Sequence, residues 1–200
     1  MLNKIFIIMT ILLLTSCSVF SPVKTETVNS YELKKIPAVS TKKTPHRVTL
    51  IVTPTEASPI YDTTQMAYTS QTYEVSYFSK NHWAASPAEM LQNLIIQTLE
   101  NTHYFHAIST PTSTGHYDYI LNTQLLQLEQ DFSQNPSVER LKVRAQLIRA
   151  GTSNIIATKE FSVAIPAPQN TPYSGVVAAN QATAHMLKEL SEFCLRSIRK

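Results

Sequence analysis

Glu139-Arg140-Leu141-Lys142-Val143-Arg144-Ala145-Gln146-Leu147-Ile148-Arg149 decides the fold. Leu141, Val143, Ala145 and Leu147 are apolar, and Lys142, Arg144 and Gln146 between them are polar. A period of two belongs to a strand with one face in a core and the other in water. A helix would scatter the same four apolar side chains around its girth. Upstream, Gln134-Asn135-Pro136-Ser137 reads as a turn after a run from Tyr117 to Phe132, with Tyr119, Leu121 and Leu125 on one side and Ile120, Leu126 and Leu128 on the other. Downstream, Gly151 to Asn154 turns again, and Ala157, Phe161, Val163 and Ile165 line one face of a third strand. Turns this short join antiparallel neighbours, so the three strands form a meander.

A meander with one apolar face needs a cover, and two segments supply it. Ser86-Pro87-Ala88-Glu89 has a capping hydroxyl, a proline suited to the first helical position and a glutamate that can reach back to complete a capping box. Leu91, Leu94, Ile95 and Leu99 follow at helical spacing, with the end expected near His103. From about Ser174 a longer helix carries Leu187, Leu190, Cys194 and Ile198 in step, and Arg196, Arg199 and Lys200 suit the negative end of its dipole. The fold class is therefore α+β, a two-layer sandwich in which an antiparallel sheet carries two main helices.

The remaining chain is shorter in texture. Tyr31-Glu32-Leu33 reads as a first short strand and Lys34 to Pro45 as a loop with a loose basic cluster. Arg47 to Thr53 reads as a buried strand, ended by the prolines of the Pro54 to Pro59 stretch. Aromatic residues gather between Ile60 and Trp83, where Tyr73, Val75 and Tyr77 share one strand face and Phe78 takes the other. Tyr104 to Ser109 is too short and mixed to assign, and no internal repeat is present.

The N-terminus is of another kind. Lys4 precedes an apolar run from Ile5 to Leu14 broken only by Thr10, the pattern of a secretory signal. The run is half the length a transmembrane helix needs. Leu14-Thr15-Ser16-Cys17 resembles the lipobox of bacterial lipoproteins, which implies cleavage before Cys17 and acylation of that residue. Residues 1–16 are then the signal, 17–29 the lipidated N-terminus and polar tether, and 30–200 the domain. Each buried methylene adds about 0.8 kcal/mol, so several acyl chains make a stable anchor. Ser18 stands where the inner-membrane retention signal would place Asp, so the expected location is the outer membrane, facing the periplasm.

Composition removes several function classes. Lys and Arg number 17 against 14 Asp and Glu, and losing Lys4 with the signal trims the formal charge of +3 by one. That balance, without a zinc-knuckle spacing or an aromatic RNA-binding signature, gives no reason to expect a nucleic-acid partner. Gly115, Gly151 and Gly175 are the only glycines. A phosphate-cradling loop needs several close together, and a nucleophile elbow needs them on both sides of its serine. With Cys17 acylated, Cys194 remains alone, so no internal disulfide can form, and a lone thiol on a helix is more often packing than chemistry.

In order along the chain, Tyr31-Glu32-Leu33, Pro59-Ile60-Tyr61-Asp62-Thr63, Met66-Ala67-Tyr68, Tyr73-Glu74-Val75-Ser76-Tyr77, Asn81-His82-Trp83-Ala84, Ser86-Pro87-Ala88, Phe105, the strand from Tyr117 to Gln130, the late strands and the last helix form one pattern. It resembles the ABC-type transport auxiliary lipoprotein component family, of the paraquat-inducible or intermembrane-transport type. The resemblance implies a non-enzymatic, cofactor-free lipoprotein facing the periplasm. Its implied partners are an ABC permease and ATPase and a mammalian-cell-entry-type protein that together move lipid between the membranes. It carries no catalytic residues to transfer, and leaves open a monomer or a homo-oligomer. A lipoprotein activator or scaffold of a periplasmic cell-wall enzyme would suit the same small domain.

Among single residues, Tyr61, Tyr68 and Trp83 stand as candidates for contact with a partner or lipid, while Tyr73 and Tyr77 read as core. His103, His106 and His116 have a metal-like spacing but no firm acidic ligand, so no metal is expected and surface histidine is the stronger reading. Glu129 and Asp131 share a strand face and could pair as acid and base, although a solvated strand end is the simpler account. Arg140, Lys142 and Arg144 make a basic strand face, solvated or turned toward anionic headgroups.

Overall fold

The computed structural model describes residues 27–39, 46–111 and 115–198. In chain order the elements are β1 (Asn29–Tyr31), β2 (Thr49–Val52), β3 (Glu56–Ala57), β4 (Gln65–Thr69), β5 (Ser76–Trp83), α1 (Pro87–Glu100), β6 (Ala107–Ser109), β7 (Tyr119–Asp131), β8 (Val138–Arg149), β9 (Asn154–Pro166) and α2 (Pro172–Ile198). The α+β class and the two helices on a sheet are as the sequence predicts. Cys17 and the tether as far as residue 26 lie outside the described residues.

Strand β7 is the spine of a nine-stranded sheet. One edge pairs antiparallel with β8 along its whole length, and β8 pairs antiparallel with β9, completing the meander. The other edge receives β2, β3 and β4 in succession, all parallel, with Leu50 beside Tyr119, Glu56 beside Gln124 and Ala67 beside Glu129. Proline explains why this edge is built in pieces. Pro54 falls between β2 and β3, and Pro59 follows β3; neither can donate to the ladder, so one long strand becomes short ones. Outside them β6 joins β2 parallel, β5 joins β4 antiparallel and β1 joins β5 parallel.

A bulge between Leu125 and Gln127 resolves the two-faced pattern of β7. Before it the odd positions Leu121, Thr123 and Leu125 point into the core; after it Leu128 and Gln130 do. One extra residue reverses the inward parity. Opposite, Leu141, Val143, Ala145 and Leu147 are all fully buried, as their alternation requires.

The helices seal this face. α2 lies over β8 and β9, and α1 packs beside α2 against β6 and β7. Leu91, Ile95 and Leu99 of α1 meet Leu187, Leu190 and Cys194 of α2 in a single core. Ser86 Oγ accepts from the Glu89 amide at 3.3 Å, the first of the two bonds that a capping box allows. The same device opens α2, where Thr171 Oγ1 accepts from the Ser174 amide at 3.2 Å and Pro172 takes the first helical position. The helix thus begins ahead of its expected start at Ser174. Another difference lies at Tyr73, which is not in a strand: β5 starts at Ser76, and Tyr73 sits in the preceding turn at φ 69°.

Candidate functional site

An open groove of about 620 Å³ lies between the N-terminal segment and the first turns of α2. Ser30 to Glu32, Lys34 and Lys35 form one wall; Tyr173, Val176, Val177, Asn180 and Gln181 form the other, with Ala84 at the edge. The Tyr31 and Tyr173 rings stand 6.0 Å apart, and Tyr173 is 61% exposed. Asn180 pins the first wall to the second. Its Oδ1 accepts from the Lys34 and Lys35 amides at 2.9 and 3.1 Å, and its Nδ2 donates to the Glu32 carbonyl at 3.0 Å. Glu32 accepts from Lys34 Nζ at 2.6 Å and raises the pKa of that amine, chiefly through the hydrogen bond. Sequence reading missed this groove, because Tyr31 and Tyr173 meet only through the fold.

A second surface forms at the β4–β5 turn. Tyr73 is wholly exposed and Val75 is exposed in the same turn, while Tyr77 and Ile60 are also exposed, with the Tyr77 hydroxyl donating to the Ile60 carbonyl at 2.9 Å. The aromatic assignments change for Tyr61, Trp83, Tyr73 and Tyr77, while Tyr68 stays half-buried. Trp83, proposed as a contact residue, is 4% exposed and belongs to the hydrophobic core. Tyr61 is 8% exposed, and Tyr68 is half-buried, stacked on Phe78 at 4.6 Å between ring centres and edge-on to Phe132. Burial takes Tyr61 and Trp83 off the surface; Tyr73 and Tyr77, read as core, hold it instead.

Glu129 and Asp131 do share a face of β7, but both are buried and partnered rather than solvated. Tyr61 donates to Glu129 Oε2 at 2.7 Å and Gln127 Nε2 to Oε1 at 2.9 Å. Burial first, then the Glu129 carboxylate, push the Tyr61 phenol pKa up, so the proton stays on the tyrosine. Burial would also raise Asp131, yet Ser133 and Arg140 outweigh it and hold the carboxyl below its usual range. Arg140 places both Nε, at 2.9 Å, and Nη2, at 2.8 Å, on Asp131 Oδ2. Lys142 and Arg144 both approach Glu160, at 3.9 and 3.4 Å, so the basic strand face carries its own counter-charges.

Glu139, by contrast, lies on the core side of β8, is 3% exposed and has its pKa pushed well up by burial and by the charge of Glu129. It is cross-strand from Gln130, whose Nε2 donates to Ser137 Oγ at 2.8 Å and to the Thr171 carbonyl at 3.2 Å beneath the start of α2. Neither residue stood out in the sequence, because the bulge is what turns Gln130 inward.

His103 lies in the turn after α1 at φ 50°, and His116 is 3.8 Å from Asp118. Among the described residues no three His, Cys, Asp or Glu side chains cluster as metal ligands. Cys194 is fully buried, and burial pushes its thiol up to about 12, which marks it as packing. No described helix is long and apolar enough to cross a membrane.

Solved structures share this architecture. Protein XCC0632 from Xanthomonas campestris, of the DUF330 family, superposes with a TM-score of 0.78 at 19% identity, over 86% of this chain and 97% of its own. An uncharacterized protein superposes with a TM-score of 0.68 at 13% identity, over 84% and 99%. At such identities the likeness is one of fold. No curated protein matches the chain. The family model for the ABC-type transport auxiliary lipoprotein component matches residues 31–191, from β1 into the last turns of α2. That span holds strands β2 to β9, α1 and most of α2 and of the groove, and the chain belongs to the ABC-type transport auxiliary lipoprotein component family.

Proposed function

We propose that this protein is a non-enzymatic auxiliary subunit, anchored through Cys17 in the outer membrane and facing the periplasm. There it docks a mammalian-cell-entry-type protein of an ABC-driven lipid transporter. The family match over residues 31–191 carries the reading. Two structural features support it. The acidic residues that could have served as an acid–base pair are committed to Tyr61 and Arg140. Tyr73 and Val75 of the β4–β5 turn are exposed, as are Tyr77 at the start of β5 and Ile60, whose carbonyl accepts from the Tyr77 hydroxyl, and an interface can bury such side chains.

Photo-crosslinking from position 73 in living cells, followed by identification of the adduct, tests the proposal. A cell-entry-type protein or permease in the adduct is the expected result. A cell-wall synthase there instead, or a deletion strain with unaltered lipid distribution and no transporter adduct, would overturn it. Palmitate incorporation that persists in Cys17→Ala would remove the anchor from the account.

A further inference from the structure

We propose that the groove between Tyr31 and Tyr173 takes one acyl chain of a phospholipid from the membrane to which the protein is tethered, with the headgroup phosphate at Lys35. The inference rests on the membrane-anchored part of the proposed function but not on its transporter partner.

Shape comes first. About 620 Å³ lies within the range of ligand sites, and the walls offer two tyrosine rings and the valines of an α2 face. Val176 is buried in the groove wall, while Tyr173 on the same wall is 61% exposed. Covering apolar surface of this kind with the methylenes of an acyl chain removes both from water, which is favourable.

Charge is arranged to one side. Lys34 is spent on Glu32, but Lys35, next along the wall, has no ion pair among the described residues. An acyl chain in the groove would place a phosphate within reach of that ammonium and of solvent, the usual snorkelling arrangement at a membrane surface.

Position completes the argument. The wall is the very segment that leads back to Cys17. Twelve residues separate Cys17 from Ser30, a span of roughly 45 Å fully extended and less on average. A groove at the foot of its own tether is held close to the bilayer, where the local concentration of lipid chains is high.

The experiment uses the full lipidated protein in vesicles containing phosphatidylglycerol with a diazirine on one acyl chain. Photolysis should give adducts on Tyr173 or Val177. Val177→Trp, which fills the groove from a half-buried position, should lower the adduct yield at least fivefold. Ala84→Trp, from the exposed edge, should do the same if the first variant folds poorly. Lys35→Glu should lower the yield two- to threefold. Adducts mapping elsewhere, or yields unchanged in both tryptophan variants, overturn the proposal. So does labelling that appears only in Cys17→Ala, which would mean that the protein's own acyl chain fills the groove. Failure to recover a transporter subunit leaves the lipid adduct standing, so the two readings fail separately.

Discussion

Asn180 Oδ1 receives the backbone amide of Lys34 at 2.9 Å, joining a residue near the start of the domain to the third turn of its last helix. One carboxamide also takes the Lys35 amide and returns bonds to the Glu32 and Val176 carbonyls at 3.0 Å each. Strand β1 has only three residues and pairs with β5 alone, so this clamp carries much of the attachment of the N-terminal segment. Asn180→Ala should cost about 1–2 kcal/mol and lower Tm by about 2–8 °C. Amide hydrogen exchange should accelerate at Lys34 and Lys35 and stay unchanged in β8. Unchanged exchange at those two amides would show that the segment is held by other means.

Gly175 presents a steric prediction. A Cβ there would fall well inside contact distance of Gln130 Oε1, and Gln130 is held in place through Ser137 and Thr171. Gly175→Ala should therefore destabilise by about 1–3 kcal/mol, against the usual gain for alanine over glycine in a helix. In a Gln130→Ala background the obstacle is gone and the penalty should shrink. A double-mutant cycle by chemical denaturation measures the coupling, and additivity of the two changes would refute the contact.

Glu139 and Asp131 pull the pH dependence of stability in opposite directions. The Glu139 pKa is raised in the folded state, so its contribution is most favourable below the unfolded value near 4.5 and is lost as pH rises through the folded value. Asp131 is lowered, so its contribution is present above about 4 and lost in acid. Glu139→Gln keeps the shape and removes the buried charge. It should raise stability at pH 8 by about 1 kcal/mol or more, with the gain fading toward pH 4. Thermal melts across that range decide it: a gain equal at both ends would locate the effect in packing instead.

The long-range frame of the fold was legible because its elements are long and periodic. Leu141 to Leu147 alternate without interruption, and Ser86-Pro87 announces α1 by chemistry that needs no tertiary contact. What stayed hidden depends on contacts between distant residues. The bulge after Leu125 moves the core face of β7 from odd to even positions, and nothing local marks it. The short strands β3, β4 and β6 exist because β7 and β2 offer them edges. Thr171-Pro172 was a readable start for α2, obscured by Pro166 and Pro168 just before it. As to sites, the aromatic cluster was visible as composition, but which tyrosines face water is settled by where β5 begins.

Tyr73 brings these threads to a test. It is fully exposed and holds φ at 69°, a left-handed conformation that costs an ordinary L-residue roughly 1–2 kcal/mol. A large aromatic residue gains nothing from burial there, so the fold alone would favour another residue. Tyr73→Gly should leave stability unchanged or raise it by about 0.5–1 kcal/mol, since glycine enters that region freely. If the turn is a docking surface, the same change should reduce recovery of the transporter partner severalfold in pull-downs, whereas Tyr73→Phe should retain most of it. A variant more stable yet weaker in binding is what function held against stability looks like. Full binding by Tyr73→Gly would mean that the exposed ring is not part of the interface.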